Sequence, residues 1–206
     1  MLSQSVASAL REAISAGEFQ PGERLSEVKA AERFHCSRNT LRESFTRLAA
    51  ERIVERIPNR GVFLAMPDAE YIRDLFAARA AIEPAAVRWG TFADAPSLIT
   101  LTSSAFDYAA RGEHQEVSAI NQRFHRALVA ALGSPTLNEQ MDNLLARMRL
   151  TFLLAIPRYP QLHADHIQGN ITLATLIADG KREEAATLTH DSLMTTCEKI
   201  LAVLED

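Results

Sequence analysis

Apolar positions along the first fifty residues recur at helical spacing. Leu2, Val6, Ala9, Leu10, Ala13 and Ile14 form one stripe that stops at Gly17, and Pro21-Gly22 marks a turn. A short second helix is expected over roughly Glu27 to Phe34. After the His35-Cys36 link, Ser37 offers an N-cap hydroxyl to a third helix with the stripe Leu41, Phe45 and Leu48. Beyond Glu51 the period changes. Ile53-Val54-Glu55-Arg56-Ile57 and Val62-Phe63-Leu64 are short and β-branched, and Pro58-Asn59-Arg60-Gly61 joins them as a hairpin. From Met66-Pro67-Asp68 onward the patterns are long and helical: 68–90, 94–111, 113–132, 135–156, 159–179 and 181–204. Breaks fall at Gly90, Pro96, Gly112, Gly133-Ser134-Pro135, Pro157-Arg158-Tyr159-Pro160 and Gly180. The expected fold class is mainly α: a winged helix-turn-helix over 1–66, then an all-helical antiparallel bundle over 67–206.

Composition changes this picture little. The 206 residues are 47% hydrophobic and 23% charged, as in an ordinary globular protein. No apolar run reaches the ~18 residues of a membrane span, and Met1 to Glu12 lacks the features of a secretory signal, so a cytoplasmic, membrane-free location is expected. Cys36 and Cys197 fit no metal-ligand spacing and are expected to be free thiols. Charge adds more. The formal net charge is −4, but residues 1–65 carry ten Lys/Arg against eight Asp/Glu, a local +2. The remainder carries twelve against eighteen, or −6, so a weakly basic head precedes an acidic body.

Two short helices, a tight link, and a third helix opening with Arg and Asn suit the major groove of DNA. The N-terminal residues of such a helix reach base edges, Arg pairs bidentately with guanine, and Asn does so with adenine. Arg38, Asn39, Thr40 and Arg42 are therefore the expected reading residues. Arg60 and Gly61, at the hairpin tip, would meet the backbone or minor groove. A plainer reading makes Arg38 and Arg42 a solvated helix face, paired with Glu43 or with nothing.

The blocks Pro21-Gly22-Glu23-Arg24-Leu25, Cys36 to Glu43, Arg47-Leu48-Ala49-Ala50-Glu51 and Pro58-Asn59-Arg60-Gly61 together resemble the DNA-binding domain of the GntR family. Asn39 stands where Thr is common, Leu41 where Val is usual, and Val28-Lys29-Ala30-Ala31-Glu32 is a loose version of the family's second helix. The tail resembles the FCD domain of the FadR subgroup. Arg79-Ala80-Ala81-Ile82-Glu83 matches its first helix, and Asn121-Gln122-Arg123-Phe124-His125 matches its Asp-x-x-Phe-His signature, with Asn for Asp.

The resemblance implies a homodimeric regulator that binds a short palindromic operator in double-stranded DNA and responds to a small-molecule effector, commonly an organic acid. Many such domains hold a divalent metal with one Asp and three His. Here those positions fall on Asn121, His125, Asn170 and Ser192, so one strong ligand survives. Neutral amides and hydroxyls are poor substitutes for imidazole or carboxylate around Zn, Ni or Mn. His166, one turn before Asn170, could join His125 in a shifted metal site; the blander alternative is a core His125 with partly exposed His163, His166 and His190.

Without metal, the effector-binding set would be Arg79, Asn121, His125, Arg147, Asn170 and Ser192, with Arg123 and Arg149 as further candidates for a carboxylate. Other readings stay open: an acyl or lipid-like ligand among Trp89, Phe106, Phe124 and Phe152, or no effector at all. An enzyme using His125 with Glu83 or Asp142 is the remotest, because no nucleophilic triad order or phosphate loop is present.

Overall fold

A computed structural model describes residues 2–205; the side chains of Leu2 and His163 lie outside what it describes. The chain forms two compact units. One comprises residues 1–68 together with 143–154, the other residues 69–142 and 155–206. A linear division at 66/67 does not anticipate that residues 143–154 group with the first unit, because a hydrophobic stripe records that a helix has a partner but not which one.

In the first unit, α1 (Leu2–Ser15) packs on α3 (Arg38–Ala50). Val6, Leu10 and Ile14 meet Leu41, Phe45, Leu48 and Ile53 in a buried core. Ser26 caps α2 (Glu27–Arg33), accepting from the Lys29 backbone N–H, and Ser37 caps α3 through the Thr40 N–H at 3.1 Å. Arg11 of α1 clamps Glu51, just past the end of α3, with Nη2 2.8 Å from both carboxylate oxygens.

The hairpin comprises β2 (Val54–Ile57) and β3 (Gly61–Leu64). A third strand, β1 (Arg24–Leu25), pairs antiparallel with β3, giving the order β1-β3-β2. Two residues carry no alternation to read, so the sequence did not announce β1. Gly61 has φ +111°, a conformation that side chains rarely adopt. The turn itself therefore calls for glycine, with or without a nucleic acid nearby.

The second unit is built on α4 (Ala69–Trp89), α5 (Ala95–Ala110), α6 (His114–Ala130), α8 (Leu162–Ala178) and α9 (Arg182–Glu205). The remaining helix, α7 (Pro135–Ala155), starts in this unit; its residues 143–154 belong to the first. Among the described residues there are nine helices, and the six long ones begin and end within about three residues of the expected limits. In the second unit α4 lies along α9, and α5 packs on α6 and α8. Val87, Leu98, Phe124, Leu128, Leu173 and Ile177 form one apolar cluster, and Ala105, Val117, Ile120 and Ile167 form another. Both cysteines are free. No described helix is long and apolar enough to cross a membrane.

Phe45 is the largest fully buried apolar side chain of the head. Phe45→Ala is expected to cost about 3–5 kcal/mol of stability, through lost burial and the cavity left behind. Urea unfolding followed by circular dichroism checks this.

Candidate DNA-reading helix and ligand cavity

The exposed side of α3 carries Arg38, Asn39, Arg42, Glu43, Thr46 and Arg47, while Thr40 is half-buried. Capping by Ser37 leaves the first turn of this helix facing outward with cationic and amide groups, the arrangement that base-edge contact requires. Ser37 Oγ also lies 2.9 Å from Thr40 Oγ1, so part of the Thr40 hydroxyl's capacity is used in the cap.

Arg42 is neither solvated alone nor paired with Glu43. It donates from Nε to Glu27 at 3.1–3.3 Å, with Nη2 3.1 Å from the same carboxylate, and its backbone carbonyl accepts from Arg56 Nη2 at 2.6 Å. Glu43 instead takes a long contact from Asn39 Nδ2 at 3.5 Å. The hydrogen bond to Glu27, then its charge, raises the Arg42 pKa above the ordinary arginine value. Glu27 thus holds the Nε edge of a guanidinium that would face DNA. Fifteen residues separate the pair, a distance that no helical spacing reveals. Arg60 is exposed at the hairpin tip, its guanidinium 5.7 Å from the centre of the Phe63 ring.

In the second unit a line of buried polar groups runs from α4 to α6. Arg79 (2% exposed) donates from Nε to Glu83 Oε1 at 2.6 Å, and Glu83 Oε2 (Glu83 is 0% exposed) lies 2.6 Å from His125 Nδ1. Burial pushes the Glu83 carboxyl upward, but Arg79 and His125 outweigh it and hold the pKa at about 2. The carboxylate is therefore ionised, and His125 Nδ1 donates to it. Arg79 and Glu83 stand at i,i+4, a spacing visible in the sequence; the link to His125 spans 42 residues and is not.

His125 also lines a cavity of about 330 Å³ between α6, α8 and α9. Asn170 and Ser192 line it too, as does His166. Asn121 sits behind this surface, buried, with its Oδ1 accepting from Asn170 Nδ2 at 2.7 Å. Asp165, Asp191 and Lys199 complete the polar wall. Tyr159 donates its hydroxyl to Asp165, and Lys199 Nζ is 3.5 Å from the same carboxylate. Sequence reasoning missed Asp165, Asp191 and Lys199, because only the side-by-side packing of α8 and α9 gathers them. Arg79 is bound to Glu83, and Arg147 is buried on the stretch of α7 that belongs to the first unit; neither lines the cavity. Arg123 is exposed and donates to the Ala119 carbonyl at 3.4 Å. Arg149 lies in the same α7 stretch as Arg147, is also buried, and packs over Gly17.

Comparison with known proteins closes the question of family. The profile "Bacterial regulatory proteins, gntR family" matches residues 2–64, and that of the FCD domain matches residues 74–194. The chain belongs to the GntR family and carries an FCD domain. It is 26% identical over 189 residues to the Nta operon transcriptional regulator of Aminobacter aminovorans, covering 90% of this chain and 88% of that one. It is 29% identical over 202 residues to the transcriptional repressor GlaR of Escherichia coli K12, covering 90% of each. A GntR transcriptional regulator from Rhodococcus sp. RHA1 has a solved structure that superposes with a TM-score of 0.82, at 31% identity over 97% of both chains. The GntR protein described here is a DNA-binding transcriptional regulator with a C-terminal effector-binding domain, and not an enzyme. The close His125–Glu83 pair, which could have suggested acid/base chemistry, is a buried structural link in this family member.

The metal that many FCD domains hold does not fit the residues present. Asn121 and Asn170 are hydrogen-bonded to one another, Ser192 is an exposed hydroxyl, and His125 and His166 lack a third strong ligand. Among the described residues no group of three His, Cys, Asp or Glu is placed to hold an ion. An apolar acyl site finds little support in the aromatic side chains. Trp89 is 75% exposed and Phe106 is exposed, whereas Phe124 belongs to the packed core and Phe152 is buried on α7.

Glu83→Gln takes from the buried Arg79 guanidinium the carboxylate charge that its Nε meets, and is expected to cost about 3–5 kcal/mol. The carboxyl sits at about 2 when folded, against the ordinary 4.5 when unfolded. Its stabilisation is therefore complete above the unfolded value and disappears as the pH falls through the folded one. Chemical unfolding across that acid range should show a flatter pH dependence in Glu83→Gln than in the parent protein. Parallel curves would refute the ion-pair account.

Proposed function

We propose that this regulator reads its operator with Arg38, Asn39, Thr40 and Arg42 in the major groove, while Arg60 and Gly61 at the hairpin contact phosphate or the minor groove. The observation that carries this reading is the exposed, Ser37-capped first turn of α3, with Arg42 already held against Glu27. In the division proposed, residues 1–66 bind DNA, and residues 67–206 bind the effector and dimerise. A homodimer would set two recognition helices on the half-sites of a short palindrome in the cytoplasm. The likeness to operon regulators such as the galactonate operon transcriptional repressor of Escherichia coli, at 27% identity over 160 residues, supports a role at an operon.

The effector in this reading occupies the cavity beside His125 and Asn170. Its binding changes the spacing or mobility of the heads through the segment near Met66 to Glu70. Only a ligand with different affinity for the two states can produce that shift.

Selection of operators from a random duplex library, followed by binding measurements on variants, tests the head. Arg38→Ala or Arg42→Ala should weaken the selected site roughly ten- to hundred-fold and relax preference at one G·C pair. Arg60→Ala should weaken all sequences alike and lower the salt dependence by about one ion. A uniform loss in the α3 variants would reduce those arginines to phosphate contacts.

A further inference from the structure

The cavity of the second unit is rich in hydrogen-bond acceptors. Asn170 gives one Nδ2 hydrogen to Asn121, which leaves its Oδ1 and its second amide hydrogen for the cavity it lines. His125 commits Nδ1 to Glu83, which leaves Nε2 as its polar atom for the cavity it lines. Thr189 and Thr196 donate their hydroxyl protons to the carbonyls of Ala185 and Ser192, each at 2.8 Å, and keep lone pairs for a ligand. Asp165 and Asp191 add two carboxylates, and the Lys199 ammonium already lies near Asp165.

A carboxylate placed here would face those two acids, with Arg79 committed to Glu83 and Lys199 half-neutralised by Asp165. A metal ion would find amides already bonded to each other. A single ammonium concentrates its donors on one atom, whereas the acceptors are spread over α6, α8 and α9. Several hydroxyls on one small skeleton match that spread, and 330 Å³ is an ordinary size for such a site.

We propose that this cavity binds an uncharged polyhydroxylated molecule, sugar- or polyol-like, held directly by Asn170, His125, Thr189 and Thr196 without a metal ion. The proposal rests on the reading of this cavity as the effector site, and it replaces the organic acid that the family resemblance leads one to expect.

Thermal unfolding of the full-length protein tests it. The probes are glucose, galactose, mannitol and sorbitol, set against citrate, malate and Zn²⁺ alone, each with and without EDTA. At least one hydroxyl-rich probe should raise the Tm saturably and independently of EDTA, unlike the unsaturable effect of an osmolyte. Asn170→Ala should weaken that probe about ten-fold. Thr196→Val, which keeps the side-chain shape, serves the same purpose should Asn170→Ala fail to fold. Stabilisation by citrate, malate or Zn²⁺ only, sensitivity to EDTA, or no saturable shift with any hydroxyl-rich probe would overturn the proposal. A probe that stabilises the protein yet leaves operator affinity unchanged would refute the effector role while upholding the ligand class.

Discussion

Three buried polar groups set the chemistry of the C-terminal unit: Arg79, Glu83 and His125. A lone carboxylate at the position of Glu83 would be intolerable in so dry a place, and a lone guanidinium at Arg79 equally so. Between them Arg79 Nε and His125 Nδ1 occupy both oxygens of Glu83. The arrangement ties α4 to α6. It also turns the imidazole so that Nδ1 is used inside and Nε2 is left for the cavity.

The amide pair Asn121–Asn170 works in the same direction. Two positions to which the resemblance to metal-holding FCD domains assigns a carboxylate and an imidazole carry neutral amides here, and they bond to each other. In the head, Glu27 does for Arg42 what Glu83 does for Arg79, though at the surface. There the pair restrains a side chain proposed to reach a base edge, and an exposed pair of this kind contributes little stability by itself.

Much of this was legible in the sequence. Helix limits were readable because glycine and proline punctuate a strong apolar period, and the cap at Ser37 was readable from the hydroxyl just before the run. Strand β1 was not, since Arg24-Leu25 is too short for alternation and pairs with residues almost forty positions away. The cavity was half legible. The family resemblance picked out Asn170 and Ser192, which line one cavity with His125, but the electrostatics escaped that reasoning. Arg79 stood as a candidate for a ligand carboxylate because periodicity says where a side chain lies and nothing about which carboxylate it meets. Asp165 and Lys199, 34 positions apart in the sequence, come together only when α8 and α9 pack side by side.

The central claim is that Glu83 fixes which nitrogen of His125 faces the cavity. Long-range ¹H–¹⁵N correlation spectra of the imidazole, recorded on labelled full-length protein at a pH where the ring is neutral, read this directly. The account predicts the tautomer protonated at Nδ1, with an unprotonated Nε2 whose nitrogen shift moves when a ligand enters. A ring protonated at Nε2, with Nδ1 bare beside Glu83, would contradict it.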